Sequence, residues 1–342
     1  MNVGIIGASG IGKHHAKWFH LAGCRIAAFT GTSPERCQKT AGILRDLFGF
    51  DGRSYTDYRR MLDTEPLDIV CVCSPPEVHL PQIGDALGAG LHVYCEKPVT
   101  WVPADALPVP LPSCADPRAA AVFHPALNAL LTATRTALAP ALEGRSVFGL
   151  NTQYVAVQAA YRTLYEAHRG PLDRIDQVYF LLESKGISGR YNSFEGIWID
   201  MSPHALSQII GWRPDGALDP ASVACAIREA ETTAAFRYDG VAVEAVLRKN
   251  VASTPKRRFG VNGFLVDYEG RADPDGVYRT FLTYGDQTVV AEDLMQHSIH
   301  RFLEAIARPD LQPFAGPREA LKNLEMSVMI MERGKRVKES LC

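Results

Sequence analysis

The chain has 342 residues, 46% hydrophobic and 22% charged, with a formal net charge of −2 at pH 7. That length fits two domains, each able to bury a core without staples. The near-neutral charge excludes the basic face of a nucleic-acid binder, the short Lys256, Arg257, Arg258 run being read as a solvated turn, and no stretch approaches the ~18 apolar residues of a membrane span.

The chain starts with an apolar strand that runs straight into a glycine loop, without a secretory-peptide pattern, so a cytoplasmic location is expected. Eight scattered cysteines with no CxxC pair read as free thiols of a reducing compartment, and Cys71 and Cys73, two apart on a strand, as core filler.

In chain order, Asn2–Ile6 reads as a strand, Gly10–Ala22 as a helix and Arg25–Thr30 as a second strand. Pro34–Phe48 is a helix capped by Ser33, with Pro34 at its first position. Arg53–Thr56 precedes a short helix at Asp57–Leu62, and Leu67–Cys73 is an apolar run of the kind covered on both faces of a parallel sheet. A helix (Pro81–Ala89) and a strand (Leu91–Cys95) follow. Prolines make Pro103–Pro117 an irregular connection, Ala119–Leu142 reads as a helix, and Arg145–Asn151 as a sixth strand. This alternation predicts an α/β Rossmann domain with a parallel sheet over residues 1–150. Beyond it come one helix (Ala156–His168), strand-like runs between 173 and 292, and two helices, Gln296–Ala307 and Arg318–Arg336. Strands grouped between terminal helices predict an α+β domain with a mostly antiparallel open sheet over residues 151–342, for substrate binding and oligomerisation.

Between the first strand and helix lies VGIIGASGIGKHHA, a GxxGxG loop made by Gly7, Gly10 and Gly12, with Ser9 at the usual second glycine position. Residues without Cβ allow the tight turn and the close approach of a pyrophosphate, and the helix N-terminus supplies N–H donors and partial positive charge. Gly7, Ser9, Gly10, Ile11 and Gly12 are therefore candidate cofactor contacts, with His14 and His15 structural or phosphate-adjacent. An NAD enzyme usually has Asp or Glu at the tip of the second strand. Here the segment is Thr30, Gly31, Thr32, Ser33, with Arg36 in the first turn beyond it. Hydroxyls and an arginine suit a 2′-phosphate, which favours NADP over NAD.

Two later segments carry the chemistry. LHVYCEKPVT ends a strand at Glu96, Lys97 and Pro98, at the sheet edge where open α/β sheets bind ligands. WIDMSPHALSQIIGW places Asp200 and His204 four apart at an expected helix start, with Ser202 and Pro203 in the cap region. An imidazole there, kept neutral by the helix dipole, suits the removal of a hydroxyl proton as hydride leaves carbon, and Lys97 suits the developing alkoxide.

The glycine loop, Ser74-Pro75 with His79, Glu96-Lys97-Pro98 and the Asp200/His204 pair together resemble the glucose-fructose oxidoreductase and inositol dehydrogenase (Gfo/Idh/MocA) family, over about half the chain. The resemblance implies that Lys97 contacts the reacting oxygen, that His204 is the general acid/base, and that Asp200 holds the substrate or the histidine. It places Ser74, Pro75, His79, Glu96, Lys97 and Pro98 at the cofactor, with a cis peptide before Pro98. It also puts Asn151, Gln153 and Tyr154 at the substrate, Gln153 standing where many relatives have an arginine-containing segment. The implied activity is a dehydrogenase or reductase acting on a secondary alcohol or ketone of a sugar, cyclitol or polyol, in a homo-oligomer (dimer or tetramer). Two other readings remain open: an NADPH-dependent imine reductase, because NTQYVAVQAAYRTL is also similar to a segment of thiazolinyl imine reductases, and a non-catalytic cofactor-binding regulator. The intact Lys97 and His204 favour alcohol chemistry over imine reduction.

Overall fold

In the computed structural model, residues 1–101, 117–186, 195–274 and 277–337 are described. Cys114, Cys342 and most of the expected irregular connection at Pro103–Pro117 lie outside them. The chain divides into two compact units, one of Met1–Val102, Leu130–Thr152 and Met295–Leu321, the other of Pro103–Ala129, Gln153–Leu294 and Lys322–Cys342.

The first unit carries a six-stranded parallel sheet of β1 (Asn2–Ile6), β2 (Arg25–Thr30), β3 (Arg53–Tyr55), β4 (Ile69–Val72), β5 (His92–Glu96) and β6 (Phe148–Asn151), in the order β3-β2-β1-β4-β5-β6. This is the doubly wound Rossmann order, which reverses direction beside β1. Helices α1 (Gly12–Leu21), α2 (Pro34–Phe48), α3 (Tyr58–Thr64) and α4 (His79–Gly88) follow the strands, with a 3-10 turn at Pro76–Val78 before α4, and α5 (Pro117–Leu142) belongs to this unit from Leu130 onward. The predicted span of α2 is the observed one: Ser33 Oγ accepts from Arg36 N at 3.3 Å, and Gly49, in the left-handed region, ends the helix. Asp57, expected inside α3, is its N-cap. The Lys97–Pro98 peptide is cis, as the resemblance implied.

Among the described residues Cys24, Cys37, Cys71 and Cys95 are buried free thiols, Cys225 is buried, and Cys73 is half-buried. Helix α8 (Leu294–Ala307), which the sequence reading put in the second domain, packs its Met295, Ile299 and Phe302 into the core of the first unit against Phe19 and Tyr94.

The second unit is built on a nine-stranded sheet of β7 (Gln177–Glu183), β8 (Leu218–Ile227), β9 (Glu231–Tyr238), β10 (Val241–Arg248), β11 (Arg257–Val261), β12 (Phe264–Ala272), β13 (Tyr278–Tyr284), β14 (Gln287–Glu292) and β15 (Gly334–Arg336). The order is β14-β13-β12-β11-β7-β10-β9-β8-β15, antiparallel except at β10–β7 and β15–β8. Asp239-Gly240 and Asn262-Gly263 turn the β9–β10 and β11–β12 hairpins with positive φ at both residues of each pair, as a two-residue type I′ turn demands. Helix α6 spans Gln158–Arg169, entered by a 3-10 turn at Gln153–Val157 where a regular helix was expected from Ala156. Its Tyr161 hydroxyl accepts from Val261 N at 2.7 Å and donates to Phe264 O at 2.8 Å, pinning the second hairpin. Helix α7 spans Gly196–Trp212. Helix α9 (Pro317–Glu332) stops short of the expected Arg336, because the chain then becomes the edge strand β15.

The Lys256, Arg257, Arg258 run is not the solvated turn expected of it. Arg257 opens β11, and Arg258 makes a two-pronged ion pair with Asp267 across the β11–β12 ladder, both contacts at 2.7 Å. Three adjacent bases read as a solvated stretch, but strand pleating sends alternate side chains to opposite faces, Arg258 to the side of Asp267 and Arg257 to the aromatic side.

Candidate active site

The loop after β1 is built for close packing. Gly7 has φ +86, and a Cβ on it would lie 2.9 Å from the Cys73 carbonyl, while one on Gly12 would collide with the Gly7 carbonyl oxygen. Gly10 faces open space, and Ser9, Gly10 and Ile11 are exposed. Gly7 N donates to Thr30 Oγ1 at 3.3 Å, which ties the loop to the end of β2. Among the described residues no side chain caps α1, and its first turn holds no acid. Its amide dipole therefore meets an open surface, the arrangement that takes an anion.

At the tip of β2 Thr30 is buried, Gly31 and Ser33 are half-buried, and Thr32 and Arg36 are exposed. Arg36 Nη1 donates to Thr32 Oγ1 at 3.2 Å, so the guanidinium stands over the segment where the sequence reading sought a 2′-phosphate partner.

Behind Lys97 lies a buried ion pair. Glu96 Oε1 accepts from His15 Nε2 and from Asn151 Nδ2, each at 2.5 Å, and Asn151 Oδ1 accepts from Tyr94 Oη at 3.1 Å. Glu96 Oε2 accepts from Lys97 N at 3.2 Å. Burial opposes the charge on His15, but the neighbouring Cys73 sulfur and the Glu96 carboxylate outweigh it and hold the imidazole at about 9. Burial likewise opposes ionisation of Glu96, yet His15 first, then Lys97 and Asn151, pull it down to about 2. These contacts join α1, β5 and β6 directly behind Lys97, which is half-buried. His15, taken as structural or phosphate-adjacent, is thus a fully buried partner of Glu96. Asn151, expected at the substrate, is 2% exposed and its amide is spent inside the first unit.

His79, expected beside the cofactor, is also fully buried. Burial lowers its pKa, so the ring is neutral, and its Nε2–H donates to Ser74 O at 2.7 Å. Nδ1 lies 3.2 Å from Pro98 O and 3.5 Å from Cys95 Sγ, whose thiol donates to Glu96 O at 3.2 Å. Ser74 Oγ donates to Gln82 Oε1 at 2.5 Å, Pro75 is exposed and Pro98 buried. His79 is a positioning residue that fixes the turn after β4 rather than a surface contact.

In the second unit Asp200 and His204 sit one turn apart on α7, on one face of the helix. They are not at its start: the helix begins at Gly196, so both lie in its interior, out of reach of the N-terminal dipole, which is felt within the first turn. Ser202 and Pro203 are not caps either. Ser202 Oγ lies 3.1 Å from Ser327 Oγ, and the Pro203 carbonyl accepts from Asn323 Nδ2 at 2.8 Å. A proline signals a helix start from sequence alone, and here helix packing tolerates it mid-helix.

His204 is 7% exposed, with its ring centroid 4.5 Å from that of Tyr154. Tyr154 also packs on Tyr268 at 5.0 Å, and its carbonyl accepts from Gln208 Nε2. Asp200 and Gln153 are half-buried. Sequence reasoning missed two members of this cluster, Tyr268 and Arg257. The signal for Tyr268 was its in-register place with Phe264 and Val266 on one face of β12.

A family model described as an oxidoreductase family with an NAD-binding Rossmann fold matches residues 1–109. An uncharacterised oxidoreductase, YrbE of Bacillus subtilis, is 32% identical over 99 residues, 29% of this chain and 28% of that protein. Inositol 2-dehydrogenase of Azotobacter vinelandii is 29% identical over 101 residues, 29% of each. The chain thus aligns with less than a third of the length of these relatives. Among solved structures, UDP-N-acetylglucosamine 3-dehydrogenase GnnA of Acidithiobacillus ferrooxidans is similar with a TM-score of 0.66 at 17% identity, over 98% of this chain and 97% of that one. KijD10, a 3-ketoreductase of Actinomadura kijaniata in complex with NADP and TDP-benzene, gives 0.68 at 15% identity over 98% of both. At these identities the structural likeness shows a shared fold along nearly the whole chain. No described helix is long and apolar enough to cross a membrane.

Proposed function

We propose that this chain, whose residues 1–109 match the Gfo/Idh/MocA oxidoreductase family, is a nicotinamide-dependent dehydrogenase or reductase of a secondary alcohol or ketone on a sugar, cyclitol or related polyol. The observation that carries this reading is the buried His15–Glu96–Asn151 junction, which anchors Lys97 at the carboxyl end of β5, the edge where α/β sheets bind their ligands.

The first unit fits the cofactor. Gly7 and Gly12 let the loop pack tightly on its own backbone, Gly10 faces open space, α1 offers an uncapped N-terminus, and the Thr30, Gly31, Thr32, Ser33 tip with Arg36 suits an adenosine 2′-phosphate, so NADP is favoured over NAD. Ser9, Gly10 and Ile11 would line the pyrophosphate, and Ser74, Pro75 and Pro98 the nicotinamide end. A bound nicotinamide supplies or accepts the hydride. Lys97 Nζ stabilises oxyanion character on the reacting oxygen, His204 takes the hydroxyl proton in oxidation and returns it in reduction, and Asp200, one turn before it, holds the substrate or the imidazole. Gln153 and Tyr154 contact the substrate in the second unit.

We read the protein as a homo-oligomer. Val277, Tyr278 and Val290 stand exposed at the β13–β14 edge, and light scattering would settle the assembly.

The test is calorimetry with NADPH and NADH, followed by a screen of sugars, cyclitols and imines for change in reduced-nicotinamide absorbance. NADPH is expected to bind at least about tenfold more tightly than NADH, and a sugar or cyclitol to be turned over. Arg36→Ala should erase the NADPH preference by weakening NADPH alone. Dinucleotide binding without turnover of any alcohol or ketone would favour the non-catalytic regulator. Turnover confined to imines would overturn the alcohol chemistry.

A further inference from the structure

Arg257 lies on the same face of the second sheet as Phe259, two residues along β11, because alternate residues of a strand share a face. Phe259 packs on Tyr161 and Tyr268, at 4.7 and 5.9 Å between ring centroids, so Arg257 belongs to the face that bears Tyr268. Tyr268 in turn packs on Tyr154, and Tyr154 on His204, at 5.0 and 4.5 Å. Tyr154 holds the guanidinium above its ordinary range against the cost of burial, with Tyr268, Tyr278 and Glu269 adding less.

Among the described residues no carboxylate forms an ion pair with Arg257. Glu269 is engaged by Arg271 at 3.5 Å, and the nearby Asp267 by Arg258. Arg257 Nε is buried with no hydrogen-bond partner, and the Tyr268 hydroxyl is buried with none beyond the neighbouring Tyr154 phenol. A half-buried guanidinium without a counter-charge, beside a buried phenol, is unfavourable unless something supplies the acceptor. The other charged pairs of this sheet do not share the feature: Arg248 is matched by both Glu183 and Glu231, on the opposite face.

We propose that Arg257 and Tyr268 form an oxyanion-recognition site in the second unit, one tyrosine away from His204, which takes a carboxylate or phosphate carried by the substrate. The substrate is then an acidic sugar or polyol rather than a neutral one. The planar, five-donor guanidinium grips either oxyanion in two-pronged fashion, and the phenol donates a further hydrogen bond. Tyr154 lies between this site and His204. This positions the oxyanion as the handle by which a substrate is oriented toward the acid/base, with the bond changes occurring elsewhere on it. The inference rests on the dehydrogenase reading for what is bound, but not for the binding of the oxyanion itself.

The test is calorimetry of the NADPH-saturated protein with D-glucuronate and D-glucose 6-phosphate against their neutral counterparts, D-glucose and myo-inositol. The expected result is that glucuronate or glucose 6-phosphate binds about tenfold or more tightly than glucose, as a charge-assisted contact to a buried arginine allows, and which of the two does so distinguishes carboxylate from phosphate. Arg257→Leu should abolish the discrimination and Arg257→Lys restore part of it, both with unchanged NADPH affinity. Tyr268→Phe should weaken acid binding severalfold without lowering Tm, which covers the case of an Arg257→Leu chain that does not fold. Equal binding of acidic and neutral sugars, no binding of either acid, or discrimination that survives Arg257→Leu would each overturn the proposal. Turnover of neutral polyols together with acid turnover untouched by Arg257→Leu would sink the oxyanion site and leave the dehydrogenase standing. Acid binding without any hydride transfer would do the reverse.

Discussion

Glu96 and His15 titrate away from their ordinary values in opposite directions, and that makes their pair visible in stability. His15, raised from 6.5 to about 9 in the folded chain, contributes stability that is complete below pH 6.5 and lost as pH rises through about 9. Glu96, lowered from 4.5 to about 2, contributes stability that is complete above pH 4.5 and lost as pH falls through about 2. Thermal unfolding against pH should therefore show a plateau between those ordinary values. The decline toward pH 9, on the order of 3 kcal/mol, should be flattened in His15→Asn. An unchanged alkaline limb in that variant would refute the buried pair.

The glycines give a second contrast at the same scale. Gly12→Ala should cost roughly 2 kcal/mol or more and abolish dinucleotide binding, because its Cβ meets the Gly7 carbonyl, whereas Gly10→Ala faces open space and should leave Tm unchanged. Differential scanning of both variants checks this. Gly7 and Gly12 were legible in the sequence from their strand–loop–helix setting alone. The inward turn of Asn151 and His79 was not, because a polar residue next to a site motif reads as a contact until its hydrogen-bond partners, distant in the chain, are known.

Elements whose ends are set by local chemistry were the most legible. The Ser33-Pro34 start of α2 follows from residues that touch each other in sequence. Helix α7 was displaced toward its C-terminal part because Pro203 imitates a start signal, and what allows it mid-helix is packing against α9, which lies more than a hundred residues away. Pro203→Ala is accordingly expected to leave the helix intact, and to stabilise it by restoring a backbone donor, by up to ~3 kcal/mol, as read from Tm. Tyr161 tests how the second sheet is held. Tyr161→Phe strips the hydroxyl that bridges Val261 and Phe264, leaves a buried amide unpaired, and should cost about 1–3 kcal/mol with no change in cofactor affinity.

At the scale of the whole chain, sequence order and spatial membership part company. Helix α8 follows the second sheet in sequence but fills the first unit's core with Phe302, which touches Phe19 and Tyr94. Hydrophobic periodicity reveals that a helix has an apolar face, not which sheet receives it. The proposed function rests on Lys97 and His204, which belong to different units and are separated by more than a hundred residues. The measurement that bears on this most directly is steady-state turnover of Lys97→Ala and His204→Ala, alongside calorimetry of each with NADPH. The expected result is a loss of kcat of about a hundredfold or more in both, with cofactor affinity within a few-fold of the parent chain. Full turnover in either variant would contradict the assignment of that residue to the chemistry.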